Sequence, residues 1–342
     1  MLPGDPSESS APTKAIDPRH RALTLRLLGE TVLVAALLAA ASVALDGARE
    51  QLPLLAGVGL PLLVLVQGCW LHRLYVVAHE ASHRKLWPES AQLNDALGQA
   101  LLLPLLLPLR IHRKIHAFHH GHNRRDHETS AIDTFVIRRR SSRVGRALAR
   151  ARCFMLWYLA VFAGGFFLHS LVSVVLFLAM PMSLARRISP AFKGWRLRDQ
   201  LRSLATFGLG LGFHLGVAAW LGARAWALCL GWPLLAFAWV YSLLVYIYHY
   251  DTSYGPGVRY HVRSLRPSRL ASWWLLNFNE HATHHRKPKL PWYQLPEQRV
   301  ELPEAYADNQ GVETIFRAIV WQLRGPRIFE RDAAGCEPGA RS

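Results

Sequence analysis

The chain has 342 residues, enough for one large domain or two ordinary ones, and 51% of it is hydrophobic, bunched into runs rather than spread. The formal net charge is +17, with 17 histidines besides. Bunched apolar sequence points to a membrane protein, and in such a chain basicity reads as Lys/Arg-rich cytoplasmic loops rather than a nucleic-acid surface. Cys69, Cys153, Cys229 and Cys336 form no C-x-x-C pair, which argues against a thiolate zinc site or a disulfide framework.

The chain opens with MLPGDPSESSAPTKAIDP, rich in Pro and Ser and without an apolar core, so residues 1–20 are expected to be a disordered tail and not a signal peptide. Apolar runs follow at 30–46, 53–77, 92–109, 154–182, 201–222 and 226–248. A helical span needs roughly 20 apolar residues, and the first, second, fifth and sixth runs meet this. The third carries Pro104 and Pro108, and the fourth is interrupted by Gly164, Gly165 and His169.

Flanking charge assigns the remainder. Arg19, Arg21 and Arg26 precede the first run, Arg73, Arg84 and Lys85 close the second, and the connection from Asp46 to Gln51 is short and mostly acidic. Both outer ends of this hairpin are therefore expected on the cytoplasmic side. The fourth run is basic on both flanks, with Arg138, Arg139, Arg140, Arg143, Arg146, Arg150 and Arg152 before it and Arg186, Arg187, Lys193, Arg196 and Arg198 after it. It should return to its starting face, as should the third. The expected fold is an all-α integral membrane protein. It has four transmembrane helices in two hairpins, two in-plane or re-entrant segments and a cytosolic histidine-rich cap. The membrane domain covers residues 21–325, and a flexible tail covers 326–342.

Histidines gather in three places. HEASH puts His79 and His83 on one helical face at the end of the second span, with His72 two turns earlier. HRKIHAFHHGH puts His116, His119 and His120 together, with His112 one turn before. HATHH repeats the H-x-x-H-H spacing with His281, His284 and His285. Spacings of three and four let one helix aim several nitrogens at a common point. Imidazole suits iron, zinc, copper and nickel. Eight histidines exceed what one four-coordinate zinc needs and suit two metals. His20, His127 and His261 lack ligand spacing and are expected to be solvated or hydrogen-bonded. His169 and His214, inside apolar runs, are expected to bond to backbone or water.

These boxes resemble those of the membrane fatty acid desaturase and hydroxylase superfamily. NFNEHATHHRKPKLPWYQLP is similar to its third box and RKIHAFHHGHNRRDHETSAID to its second, over about residues 25–300. The resemblance implies a non-haem di-iron centre at the cytosolic face, with O2 as co-substrate and a separate ferredoxin-like or cytochrome b5-like electron donor. It implies His79, His83, His116, His119, His120, His281, His284 and His285 as ligands. His249 in YIYHYD matches a further histidine that the family places after its last span. The expected activity is introduction of a double bond into an acyl or lipid-like substrate. Hydroxylation or ketolation of a lipid or carotenoid is the nearest alternative, and a histidine-rich metal transporter or a zinc membrane hydrolase the alternatives of another class. Each ligand should have its other nitrogen held by an acceptor. Glu80, Asp133, Asn279 and Glu280 are the main candidates, with Asp126, Glu128 and Asp251 beside them. Trp273, Trp274, Phe278, Trp292 and Tyr293 are candidates to line a substrate slot.

Overall fold

A computed structural model describes residues 17–127, 131–138, 142–310 and 313–331. Arg139, Arg140 and Glu128 lie outside the described residues. Four helices are long and apolar enough to cross a membrane, in the order expected from the sequence. Helix α1 (His20–Gly47) and α2 (Pro53–Ser82) form the first hairpin. Its turn uses Pro53 at the start of α2, where the missing N–H costs no hydrogen bond. Inside it, Trp70 Nε1 donates to the Thr31 carbonyl at 2.8 Å and Gln67 Nε2 to Ser42 Oγ at 2.9 Å.

After α2 the chain forms α3 (Ala91–Leu102), capped by Ser90 Oγ accepting from Leu93 N, and then α4 (Leu109–His122). At about 1.5 Å per residue, α3 is too short to cross. Pro104 and Pro108 break the helix between them, and Leu106 takes φ 53°. This turn inserts against a later span, where irregular backbone needs internal partners. His214 supplies one: its Nδ1 accepts from Trp226 Nε1 at 3.3 Å, so its Nε2–H faces the Pro104 carbonyl at 3.1 Å. The third apolar run is thus re-entrant, and its exposed carbonyl accounts for one intramembrane histidine.

Strand β1 (Thr134–Arg138) precedes α5 (Arg143–Phe162) and α6 (Gly165–Ala179), which meet at 88°. The corner residue Gly164 has φ +80° and lies against the backbone of Ala238 and Trp239, which favours glycine there. Val174 and Leu178 at the end of α6 pack with Ile111 of α4, on the face carrying the second box. The pair therefore begins and ends on the cap side, as its basic flanks imply. His169 is exposed on α6.

Helix α7 (Met182–Ile188) leads to the third span, α8 (Leu197–Leu221). The fourth runs continuously from Ala223 to Leu244 as α9 (Ala223–Trp226), a π-turn (Ala227–Gly231) and α10 (Trp232–Leu244). The π-turn leaves backbone groups that need partners, and Gln67 Nε2 donates to the Leu228 carbonyl at 3.1 Å. Arg224 pairs with Asp46 at 2.5 Å and ties the two hairpin turns together. The cap follows, with α11 (Arg269–Trp274), α12 (His281–Arg286), α13 (Ile315–Trp321) and β2 (Arg327–Arg331), which pairs in parallel with β1.

Two boundaries differ from expectation. The proposed tail from 326 begins with β2, held because Arg327 N donates to the Asp133 carbonyl at 2.8 Å and its guanidinium binds Asp251. His20, assigned to the N-terminal tail, opens α1 and is buried, its Nδ1 3.1 Å from Tyr293 Oη.

A tight helix approach occurs at Gly68, where an added Cβ would lie 2.5 Å from Ala236 Cβ and 2.7 Å from its carbonyl carbon. Only a missing side chain allows α2 and α10 to come this close. Gly68→Leu is expected to destabilise the protein by about 1–3 kcal/mol, the usual cost of overpacking. Thermal unfolding of detergent-purified protein checks this, and an unchanged midpoint would contradict the packing described.

Candidate metal centre

Nine imidazoles converge on the cap side of the bundle. The last turn of α2 supplies His79, and the residue that ends the helix supplies His83. Helix α4 supplies His116, His119 and His120, and α12 supplies His281, His284 and His285. His249 stands in the turns that follow α10. The nitrogens form two groups, each within 4.8 Å. One comprises His79, His83, His116, His120 and His284; the other comprises His119, His249, His281 and His285.

Helical spacing explains the sorting. Residues four apart differ by about 40° around a helix, and residues three apart by about 60° in the opposite sense. Each i, i+4 pair stays in one group: His79 with His83, His116 with His120, His281 with His285. The i+3 member crosses to the other group: His119 from α4, His284 from α12. The sequence suggested one common point for each box, whereas the structure divides the second and third boxes between two. The groups adjoin, with the rings of His120 and His285 stacked at 4.1 Å.

Within the first group, His116 Nε2 lies 2.8 Å from His79 Nε2, 2.8 Å from His83 Nε2 and 3.0 Å from His120 Nε2. A neutral imidazole has one N–H, so hydrogen bonds cannot satisfy so many mutual nitrogen contacts. Nitrogens about 2.1 Å from one ion and at right angles to each other would be about 3 Å apart. The spacing and the all-imidazole donor set therefore fit a metal cation. His285 has neither ring nitrogen hydrogen-bonded, another buried base available to an ion. Burial holds the imidazoles in the neutral form that ligation requires: His119 is lowered to about 4, and His284 and His285 lie well below the ordinary value, with neighbouring histidines adding to burial.

The outer nitrogens depart from expectation. His249 Nδ1 lies 3.3 Å from the His261 carbonyl, but Nδ1 of His79, His120, His281, His284 and His285 has no hydrogen-bond partner. Ring packing holds these imidazoles, with Phe278 at 4.9 Å from His79, 4.4 Å from His281 and 5.2 Å from His284. Of the main expected acceptors, Glu80 approaches an imidazole, at 3.9 Å from His79 Nδ1. Its Oε2 accepts from Trp292 N at 3.1 Å, and buried Lys85 lies 3.4 Å from Oε1 while donating to the Leu290 carbonyl. This cluster clasps the segment after the third box to the end of α2.

Asp133, Asn279 and Glu280 do not hold imidazoles, because each has a different partner. Asp133 pairs with Arg124 at 2.5 Å, both side chains fully buried, and accepts from Asp251 N at 2.8 Å. Asn279 Oδ1 accepts from Ser272 Oγ at 3.2 Å. Glu280 faces Arg299 at 3.4 Å, and burial raises its pKa. Asp251 is bound by Arg327. Arg124 was not singled out from sequence, yet it also donates to Tyr246 Oη at 2.9 Å and so joins the chain after the second box to the segment before His249.

Several histidines outside the groups have other bonds. His112 Nδ1 meets Ser82 Oγ at 2.8 Å and its Nε2 meets Tyr75 Oη at 3.2 Å. His122 Nδ1 lies 3.2 Å from the Phe118 carbonyl. His261 lies 2.9 Å from Ser253 Oγ and 3.1 Å from the Gly255 carbonyl. His127 packs on Tyr254 and Phe329. Among the aromatic candidates, Phe278 lies beside the site, Trp274 packs on His72, Trp273 is exposed and bonds Glu30, and Trp292 and Tyr293 pack around His20.

Histidine boxes at the ends of apolar spans define a membrane oxidoreductase of the desaturase and hydroxylase type. The family model "Fatty acid desaturase" matches residues 54–317, most of the chain, and the protein belongs to that family. A search of curated proteins finds no match.

The Arg124–Asp133 pair makes a separate prediction. Asp133→Ala would leave the guanidinium buried without its counter-charge and is expected to cost about 3–5 kcal/mol. Chemical or thermal unfolding reads this directly; a loss under 1 kcal/mol, roughly the value of an exposed pair, would show that the ion pair is not buried as described.

Proposed function

We propose that this protein is an O2-dependent di-iron oxidoreductase that introduces a double bond into an acyl chain or lipid-like substrate. The observation that supports this reading is the division of nine neutral imidazoles into two adjoining groups, without thiolates, at the end of a membrane bundle. Two groups suit two ions, and imidazole donors suit iron. The reading takes His79, His83, His116, His120 and His284 as ligands of one ion and His119, His249, His281 and His285 as ligands of the other.

A pair of iron ions, when bound and reduced by a separate ferredoxin-like or cytochrome b5-like donor, supplies O2 activation and hydrogen removal from an unactivated carbon. The protein's own groups do the positioning. Phe278 packs against three of the imidazoles and gives an apolar chain a surface to lie on. Trp274 packs against the same buried cluster and on His72, its indole N–H donated to the Cys69 carbonyl at 2.9 Å. Glu80 and Lys85 fix the segment over the site, which limits water entry from that side. A metal transporter would hold its polar ligands near mid-membrane, whereas these groups stand at span ends and in the cap.

The cap is assigned to the cytoplasmic side by the basic flanks of the spans. A cysteine at Arg187→Cys should react with an impermeant thiol reagent only from the cytoplasm; reaction only from the opposite face would reverse the assignment.

Iron analysis and product mass spectrometry test the chemistry. About two irons per chain are expected, and a product two hydrogens lighter than its substrate, where hydroxylation would instead add an oxygen. His119→Ala and His284→Ala should each lower bound iron and abolish turnover. His122→Ala should retain both, because that imidazole is engaged by the Phe118 carbonyl. Full activity in both ligand variants would refute the assignment.

A further inference from the structure

His72 is left over from every role described so far. It lies two helical turns before His79 on the same face of α2, about 10 Å toward the membrane interior. It is only 5% exposed and belongs to neither nitrogen group. Its Nδ1 is buried without a hydrogen-bond partner. An unpaired polar atom in such surroundings is costly, so a function is the natural place to look.

The surroundings are aromatic. The His72 ring lies 5.4 Å from Trp274, 6.0 Å from Tyr75 and 6.3 Å from Phe237. Tyr241 meets Tyr75 edge-on at 5.2 Å. Tyr75, Tyr241, Trp274 and Phe278 are half-buried, while Leu74, Leu275 and Phe237 beside them are closed. Half-buried rings thus stand at both ends of this two-turn interval, Phe278 against His79, and Trp274 and Tyr75 against His72. One turn further, the contact of Gly68 with Ala236 closes the space between α2 and α10. A purely hydrocarbon chain would use none of the polarity at this depth. Ligand sites of this kind are mostly apolar, with a few polar groups that fix orientation.

We propose that His72 is a specificity-determining residue, receiving a neutral hydrogen-bonding oxygen, such as a hydroxyl, on the part of the substrate that extends membrane-ward of the metal centre. This rests on the acyl-lipid reading above and narrows it: the substrate is an oxygenated chain rather than a plain saturated one. A neutral imidazole offers one donor and one acceptor, which suits a hydroxyl in either sense. The carbon to be attacked and the oxygen would be separated by about the two-turn distance between His79 and His72.

The test uses full-length, iron-loaded protein in detergent. Probes are a series of long-chain fatty acids, each with one hydroxyl at a successive carbon, and the unsubstituted acid. Binding is measured by calorimetry or native mass spectrometry. One position, or two adjacent ones, should bind about tenfold tighter than the unsubstituted acid, the order expected of one well-placed hydrogen bond. His72→Leu should erase that preference with iron content unchanged, and His72→Gln, which keeps a donor and an acceptor, should retain most of it. A wild-type protein with no positional preference, or a preference that survives His72→Leu, overturns the proposal. Absence of binding to every probe overturns the acyl reading together with it, whereas iron content reports on the metal centre independently of either.

Discussion

The constraint on which this structure depends is the crowding of nine neutral imidazoles. Nitrogen lone pairs 2.8–3.1 Å apart do not attract one another, and protonation to relieve the contact is opposed by burial. A bound cation converts this unfavourable arrangement into a favourable one, and coordination then contributes to folding itself. Before that happens the polypeptide must hold three distant segments against their own repulsion. Each is clamped by something other than the histidines. The end of α2 is fixed by Asn94 Nδ2 donating to the Ala81 carbonyl, the chain after α4 by Arg124 and Asp133, and the segment after α12 by Glu80 and Lys85.

Both buried ion pairs make sense in these terms. A buried pair adds little net stability compared with an apolar packing of the same volume, because desolvation offsets the attraction. What it does supply is register. Arg124 can meet Asp133, Tyr246 and the Ser253 carbonyl together only if the segments around His120 and His249 are correctly aligned. Glu80 can accept from Trp292 N only if α12 lies over the end of α2. Polar groups thus set positions that apolar contacts, being non-directional, would leave free to slide.

The spans were legible because a bilayer imposes a length and a polarity on any helix that crosses it, and the boxes because helical spacing places nitrogens on one face. The basic flanks identified the α5–α6 pair as returning to its own side, where length alone would have allowed a fifth span. The β1–β2 pairing was not legible, since its strands are five residues each and lie 189 positions apart between Arg138 and Arg327. The same holds for Glu80 and Trp292, separated by 212 positions. Asp133, Asn279 and Glu280 were reasonable acceptors by proximity in sequence. Proximity could not show that Arg124, Ser272 and Arg299 would engage them first. The nine expected histidines came together, but the split of each H-x-x-H-H box between two groups needed the relative placement of α4 and α12.

A physical criterion separates the histidines better than spacing does. His112 has ligand spacing to His116, yet both its nitrogens are engaged by hydroxyls. His20, His122, His214 and His261 likewise face a hydroxyl or a carbonyl. In the two groups the Nε2 atoms of His79, His83, His116, His120, His284, His249 and His281 face other imidazoles instead. Nitrogens already occupied by the protein stabilise its fold; those turned toward one another need an external partner. His72 obeys neither pattern: buried, with Nδ1 unengaged and no second histidine nitrogen facing it, it lacks the company that a metal requires and the partner that a structural role would provide. By the same criterion the partner it needs is a single polar atom, brought by something that enters between α2 and α10.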